Sequence, residues 1–330
     1  VPPELQPRGA DTSTIAALLE HPMLHAHGNA AEIRAALQAI NELVGLADVK
    51  LAVVGLLNQL LVHPDARPER MTFVFEGPPG TGKTTVARAL GRILRALGLV
   101  SGTVETSKAD ITSQYKDNHV RACEEYLDSH RADFVFYDEA GNLEHGSGPE
   151  VTGTILRKLD EHRHTMAFAV AGYPDFLQRG FFSVDPGFRR RFLYTFTFTA
   201  YSPAELADVC HITAQRYDPP WEVAVEPAPL LQLMTTYAKQ FSDSAGSVDT
   251  MLIKARMYQS LRVSRHANAA RILQLVDLER ACQELATGHM QTVVVDFVPP
   301  GMRVAAAAAA EQVPELPQPQ PPSPQRGNAA

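Results

Sequence analysis

Apolar residues recur along this chain in two spacings. At 72–75, 103–105, 134–137, 166–171 and 193–198 they form short runs rich in apolar and β-branched side chains, which predict strands. Between these runs, near 84–97, 118–130, 149–162 and 174–179, apolar positions fall at helical spacing. Strands alternating with helical stretches of roughly 10–15 residues predict a parallel sheet covered by helices on both faces. From Ser202 onward no further strand is predicted. Helical segments near 202–216, 227–240, 247–264 and 275–286 predict a smaller all-α domain. The boundary is expected between Phe198 and Pro203.

Both ends lack packing material. Residues 1–10 include three prolines, and six alanines at 305–310 precede a Pro/Gln-rich stretch over 314–325. Such a composition cannot bury a core and predicts an extended tail. The expected organisation is a flexible segment over 1–30, a core over 31–200, a helical lid over 201–298 and an Ala/Pro/Gln-rich disordered tail over 299–330. The most apolar run, 51–62, has twelve residues and includes Asn58 and Gln59. A membrane span needs roughly twenty apolar residues. The first ten residues lack the charged and apolar regions of a signal peptide, and the absence of an initiating Met suits a processed product or an excised domain.

Charge narrows the function classes. The chain has 330 residues with 30 basic and 37 acidic side chains, so the balance is 30 − 37 = −7. That balance argues against a protein whose main task is neutralising nucleic-acid phosphates. Cys123, Cys210 and Cys282 are few and widely spaced, which suits a reducing compartment and no disulfide or metal framework. The cytoplasm is expected, or an organelle stroma if a targeting segment has been removed.

Specific chemistry enters at Gly77-Pro78-Pro79-Gly80-Thr81-Gly82-Lys83-Thr84, a full match to G-x-x-x-x-G-K-[ST]. It follows a predicted strand and opens a predicted helix, which the mechanism requires. Glycines let backbone N–H groups converge on phosphates, and the helix N-terminus adds its positive end. Lys83 is expected to reach the β- and γ-phosphates of ATP, and the Thr84 hydroxyl to ligate Mg²⁺. Pro79, Gly80, Thr81, Gly82 and Thr85 complete the expected nucleotide contacts. About fifty residues on, the strand at 134–137 ends in Asp138 and Glu139. Ligands of a parallel sheet sit beyond the carboxyl ends of its strands. Asp138 is therefore expected to hold Mg²⁺ through water, and Glu139 to orient and deprotonate the attacking water. The fold class is thus α/β: a P-loop NTPase parallel sheet sandwiched by helices, followed by a small all-α lid.

With these residues in hand, the chain resembles an AAA+ ATPase. More narrowly, 41–201 is similar to the family of red-type Rubisco activase (CbbX), stage V sporulation protein K and the type VII secretion ATPases. The strings that carry the resemblance are NELVGLADVK, FEGPPGTGKTTVARALGRILRALGLV, ADITSQYKDN, FVFYDEAGNLE, FAVAGYPDF and DPGFRRRF. The resemblance implies that Val44 and Gly45 contact adenine through their backbone. It implies an arginine that acts on ATP in the neighbouring subunit, with Arg191 first choice and Arg190 second. It also implies a ring, usually hexameric, with Tyr115 projecting into the pore to grip a polypeptide. Here the glycines that usually flank that aromatic are gone. Gly172 followed by Tyr173 stands where broader relatives carry a polar sensor residue. Gly246 stands where a lid arginine usually touches the γ-phosphate, and Asp249 where a second basic residue is common.

The expected function is therefore an ATP-hydrolysing mechanochemical protein that remodels a protein partner by threading. The alternative is a regulatory or scaffold subunit with weak hydrolysis, assembled in a mixed ring with an active paralogue. Gly246 and the altered pore loop favour the alternative, while Lys83 and Glu139 favour the motor. A clamp-loader-like role on DNA is disfavoured by the acidic charge and the lack of a basic winged-helix segment. His21, His25 and His27 have spacings that could ligate a metal, but Pro22 breaks any regular helix there and a polar loop is expected. His162 and His164 are expected to be solvated, and Trp221 to anchor packing between lid helices.

Overall fold

The computed structural model of the chain describes residues 14–21, 24, 28–62, 68–112, 118–140, 148–183, 187–242, 244–263 and 270–289. Five strands form one sheet: β1 (Met71–Glu76), β2 (Thr103–Thr106), β3 (Phe134–Tyr137), β4 (Ala167–Gly172) and β5 (Tyr194–Thr197). Their order is β2-β3-β4-β1-β5 and every pairing is parallel. All five fall within a residue or two of the runs predicted from the sequence.

Period-2 alternation divides the core between the two faces of the sheet. Phe73 and Phe75 of β1, Phe134 and Phe136 of β3 and Ala169 and Ala171 of β4 enter one cluster. Val74, Val135, Tyr137, Phe168 and Val170, the intervening residues, enter the other. On the first face lie helices α1 (Ile15–Leu19), α2 (Ala30–Asn41), α3 (Ala47–Val62) and α4 (Lys83–Ala96). On the second lie α5 (Lys108–Thr112), α6 (His119–Ser129) and α7 (Gly148–Glu161). Beyond β4, α8 (Pro174–Phe176) runs into a π-helical turn over Leu177–Phe181.

Helix α1 lies within the stretch expected to be flexible. Thr14 caps it by accepting a bond from the Ala17 N–H, and Ile15 and Leu18 are buried in the first cluster. Two apolar side chains one turn apart on a five-residue helix are too few for periodicity to reveal. The apolar run at 51–62 falls in α3, where Val53, Val54, Leu56, Leu57, Leu60 and Leu61 pack into the core while Leu51 and Val62 are exposed. Among the described residues, no helix is long and apolar enough to cross a membrane.

The C-terminal described part holds α9 (Pro203–Arg216), α10 (Pro227–Thr236), α11 (Ala245–Arg262) and α12 (Leu275–Thr287). Ser202 and Glu205 form a capping box at the start of α9. The expectation that strands vanish after Ser202 is corrected here. Glu222–Val223 (β6) and Ile272–Leu273 (β7) form a parallel pair of two residues each. Their partners are some fifty residues apart, so no local pattern announces them. Trp221 does serve packing: the Arg256 guanidinium lies 5.0 Å from its ring centroid and 4.8 Å from that of Tyr217. Asp277, fully buried, is paired with Arg262 at 2.7 Å.

Cys123, Cys210 and Cys282 are buried and in no disulfide, and burial pushes each thiol up to about 12. They are inert core residues. His162 differs from expectation: its side chain is only 13% exposed and pairs with Asp128 at 2.8 Å. His25, His27, Tyr115 and the 299–330 tail lie outside the described residues.

An aromatic cluster supports the region where β4 and the arginine-rich turn meet. Phe181 is fully buried against Tyr137, Phe182, Phe188 and Phe192, with ring centroids 4.7–6.3 Å away. Phe181→Ala is expected to lower unfolding stability by about 3–5 kcal/mol, because the cavity left among rigid rings cannot collapse. Chemical denaturation checks this. A loss below about 1 kcal/mol would mean the cluster is not the packed unit described.

Candidate functional site

β1 sits inside the sheet and ends at Glu76, from which the chain turns sharply into α4. Two glycines make that turn possible. Gly77 has φ +152°, and a Cβ there would lie 2.2 Å from the Phe198 carbonyl oxygen. Gly82 precedes α4 in the left-handed region at φ +94°. The first turn of α4 thereby opens toward solvent with N–H groups that have no intrahelical acceptor, a ready anion site. Lys83 lies at its start, its ammonium donating to the Gly77 and Pro78 carbonyls at 2.9 and 2.6 Å. Burial lowers the Lys83 pKa from its ordinary value, and the nearby Asp138 carboxylate opposes that shift.

The carboxylates arrive from β3. The Thr84 hydroxyl donates to Asp138 Oδ2 at 3.0 Å, joining the phosphate loop to the end of that strand. A hydroxyl and a carboxylate held together are hard oxygen donors of the kind Mg²⁺ takes, so these residues fit the ion that the motif implies. Glu139 follows with φ +53°, unusual for a residue bearing a side chain. Its N–H donates to Asp138 Oδ1 at 2.9 Å, which holds the turn in place. A conformation of this kind costs about 1–3 kcal/mol and tends to persist where function requires it.

Pro79, Gly80, Gly82, Lys83, Thr84 and Thr85 line a cavity of about 570 Å³ together with Asp138 and Glu139. Thr81 sits behind them, fully buried, its hydroxyl donating to the Pro78 carbonyl at 2.8 Å. Val44 and Gly45 do not line the cavity, whereas their neighbour Leu43 does. Gly45 instead abuts the Glu205 side chain at the start of α9.

Several lining residues carried no sequence signal of their own. Tyr201 and Arg216 enter from the connection to α9 and from its last turn, and Ala245 from the start of α11. The Ala245 N–H donates to the Gly80 carbonyl at 3.2 Å, so the helical part rests directly on the phosphate loop. Around Gly246 a Cβ would meet only open space, and Asp249 accepts from the Tyr217 hydroxyl at 2.6 Å. Neither reaches the cavity. Tyr173, just beyond β4, and Phe176 of α8 complete its wall.

The arginine turn lies apart from the cavity. Arg191 donates from Nε to Asp160 at 3.1 Å and from Nη1 to the Gly187 carbonyl at 3.0 Å, and Asp160 also pairs with Arg70 at 2.7 Å. Arg189 donates to Thr195 and lies 5.2 Å from the Phe182 ring centroid. Arg190 is exposed, with no partner among the described residues.

Comparison with known proteins agrees with this geometry. Residues 73–195 match the sequence model of the ATPase family associated with various cellular activities (AAA). The chain is 28% identical over 221 residues to the ESX-1 secretion system protein EccA1 of Mycobacterium tuberculosis (strain H37Rv), covering 64% of this chain but only 36% of that protein. It is 30% identical over 240 residues to Protein CfxQ of Xanthobacter flavus, covering 67% of this chain and 74% of CfxQ. The crystal structure of the FIGL-1 AAA domain in complex with ADP superposes with a TM-score of 0.51 at 17% identity, covering 82% of this chain and 89% of that one. That likeness concerns the fold. With a nucleotide loop, a carboxylate strand and this coverage of CfxQ, the chain belongs to the AAA family of ATPases.

Proposed function

We propose that this chain hydrolyses ATP with Mg²⁺ and uses the cycle to remodel a protein partner within a ring, with 31–200 as its motor core and 201–298 as its lid. The observation that carries the reading is the 3.0 Å contact of Thr84 with Asp138 beside Lys83, with Glu139 lining the same cavity. These are the groups that phosphoryl transfer to water needs: a cation for the phosphates, oxygen ligands for the ion and a base for the water. Mg²⁺, when bound, neutralises charge on the β- and γ-phosphates. The chain's own residues do the rest. The loop N–H groups and Lys83 hold the phosphates, while Glu139 accepts a proton from the attacking water. The lid's contact with Gly80 supports coupling between the nucleotide and lid position.

A neighbouring subunit would supply an arginine to the site. Of the two candidates, Arg190 suits this role better, because Arg191 is committed to Asp160 within its own chain. Tyr115 remains the proposed pore residue. A second reading, a weakly hydrolysing subunit of a mixed ring, is favoured by the absence of any side chain at Gly246 where the lid meets the loop.

Sedimentation of the purified chain with and without ATP separates these. The motor reading expects ATP-dependent assembly to about six copies, with turnover per subunit rising steeply over the same concentration range. Assembly without turnover would favour the second reading, and a monomer at all concentrations would overturn the ring.

A further inference from the structure

The turn that joins α2 to α3 contributes a wall of the cavity, and a lysine from α3 holds it. Carbonyls at the end of a helix have no intrahelical partner. At the end of α2 the Asn41 carbonyl and, two residues on, that of Leu43 both accept from the Lys50 ammonium, at 3.1 and 2.6 Å. Lys50 stands near the start of α3, where a positive charge opposes the helix dipole. The end of α2 explains its place, because a cation is favoured there. Among the described residues it has no carboxylate partner, and burial lowers its pKa from the ordinary value.

The turn needs holding. Gly45 and Leu46 are successive left-handed residues, at φ +62° and +57°. A left-handed residue that carries a side chain persists only where its surroundings fix it. Lys50 supplies part of that fixing through its main chain as well, since its N–H donates to the Leu46 carbonyl at 2.9 Å.

What the turn presents is Leu43. This side chain lines the cavity, and its Cδ1 lies 3.6 Å from where a Cβ on Gly82 would stand, over the glycine that opens α4. Behind it, a Cβ on Gly45 would strike the Glu205 carboxylate at the start of α9, so the turn has no room on that side. An aliphatic wall offers phosphates nothing and suits the less polar nucleoside end of a ligand.

We propose that Lys50 is a positioning residue for nucleoside binding: by gripping the Asn41 and Leu43 carbonyls, it holds Leu43 against the nucleoside of the bound triphosphate. The proposal rests on the ATPase reading above. Lys50 does not line the cavity and acts only through the turn.

Lys50→Met in the full chain keeps the side chain's length and removes its donors. Affinities for ATP, ADP and inorganic tripolyphosphate, which has the phosphates without a nucleoside, are measured beside kcat and KM. Losing two hydrogen bonds from a charged donor predicts about tenfold weaker ATP and ADP binding, with KM rising in step. Tripolyphosphate affinity and kcat should stay within about twofold, because the nucleoside is held alike in ground and transition states. Parent-like ATP affinity would overturn the proposal. So would an equal loss for tripolyphosphate, which would make Lys50 a support of the whole cavity, or a fall in kcat at unchanged KM. If thermal denaturation shows the variant unfolded, Leu43→Ala decides, since it leaves the carbonyl bond to Lys50 in place. Selective loss of ATP over tripolyphosphate then supports the proposal, and parent-like ATP affinity overturns it. If the parent binds ATP without turnover, the ATPase reading fails, and the comparison of ligands still decides the role of Lys50.

Discussion

Glu139→Gln is expected to stop ATP turnover while leaving the nucleotide bound. The substitution keeps the side chain's size and removes its ability to accept a proton from water. General-base catalysis contributes roughly 10²–10⁴-fold, so kcat should fall by about that factor. Affinity for ATP should change little, because Lys83, Thr84 and the loop N–H groups proposed to hold the phosphates line the cavity and are untouched. The Glu139 N–H bond to Asp138 is a backbone contact and survives the change. Single-turnover hydrolysis with direct binding of ATP checks both halves. Undiminished turnover would remove Glu139 from the mechanism, and lost ATP binding would make it a structural residue of the turn. If the variant traps ATP-bound rings, the same protein becomes the reagent for capturing a partner.

Arg190→Ala is expected to lower turnover by about 10³-fold or more, the range of an arginine supplied in trans to phosphoryl transfer. Arg191→Ala should behave differently. Its guanidinium is part of a half-buried network with Asp160 and Arg70, worth on the order of 1 kcal/mol, so it should cost a little stability and much less turnover. Mixing subunits provides the sharper measurement. A ring containing Arg190→Ala and Glu139→Gln subunits has some interfaces with an intact Glu139 on one side and an intact Arg190 on the other. Those interfaces should recover part of the parental rate, although neither variant alone turns over. No recovery on mixing would mean that Arg190 acts within its own chain or not at all. If Arg191→Ala were the more damaging change, the assignment between the two arginines would be reversed.

Legibility differed sharply between parts of this molecule. The five strands of the main sheet could be placed from local pattern, because each is a short run rich in apolar and β-branched residues set between helical stretches. The phosphate loop was equally plain: its glycines, lysine and threonine are consecutive, so their chemistry is encoded by neighbours in the chain. Asp138 and Glu139 became meaningful only when a parallel sheet was assumed, since that assumption brings two strand ends some sixty residues apart to one edge. Helix α1 and the β6–β7 pair escaped because each is too short to carry a period.

What the sequence by itself determined was the kind of fold and loop: a phosphate-loop motif on an α/β sheet of the AAA family, followed by a helical part. Tertiary structure decided which side chains share that site. It brought Arg216 and Ala245 from the helical part to the cavity, left Val44 and Gly45 out of its lining, and tied Arg191 to Asp160 while exposing Arg190. It also put Tyr173 between the phosphate loop and the carboxylates, because β4 inserts between strands that precede it in the chain. The reason is physical. Periodicity and turn chemistry act over a few residues, whereas a site is assembled by strand order and long-range packing, which depend on all the elements at once.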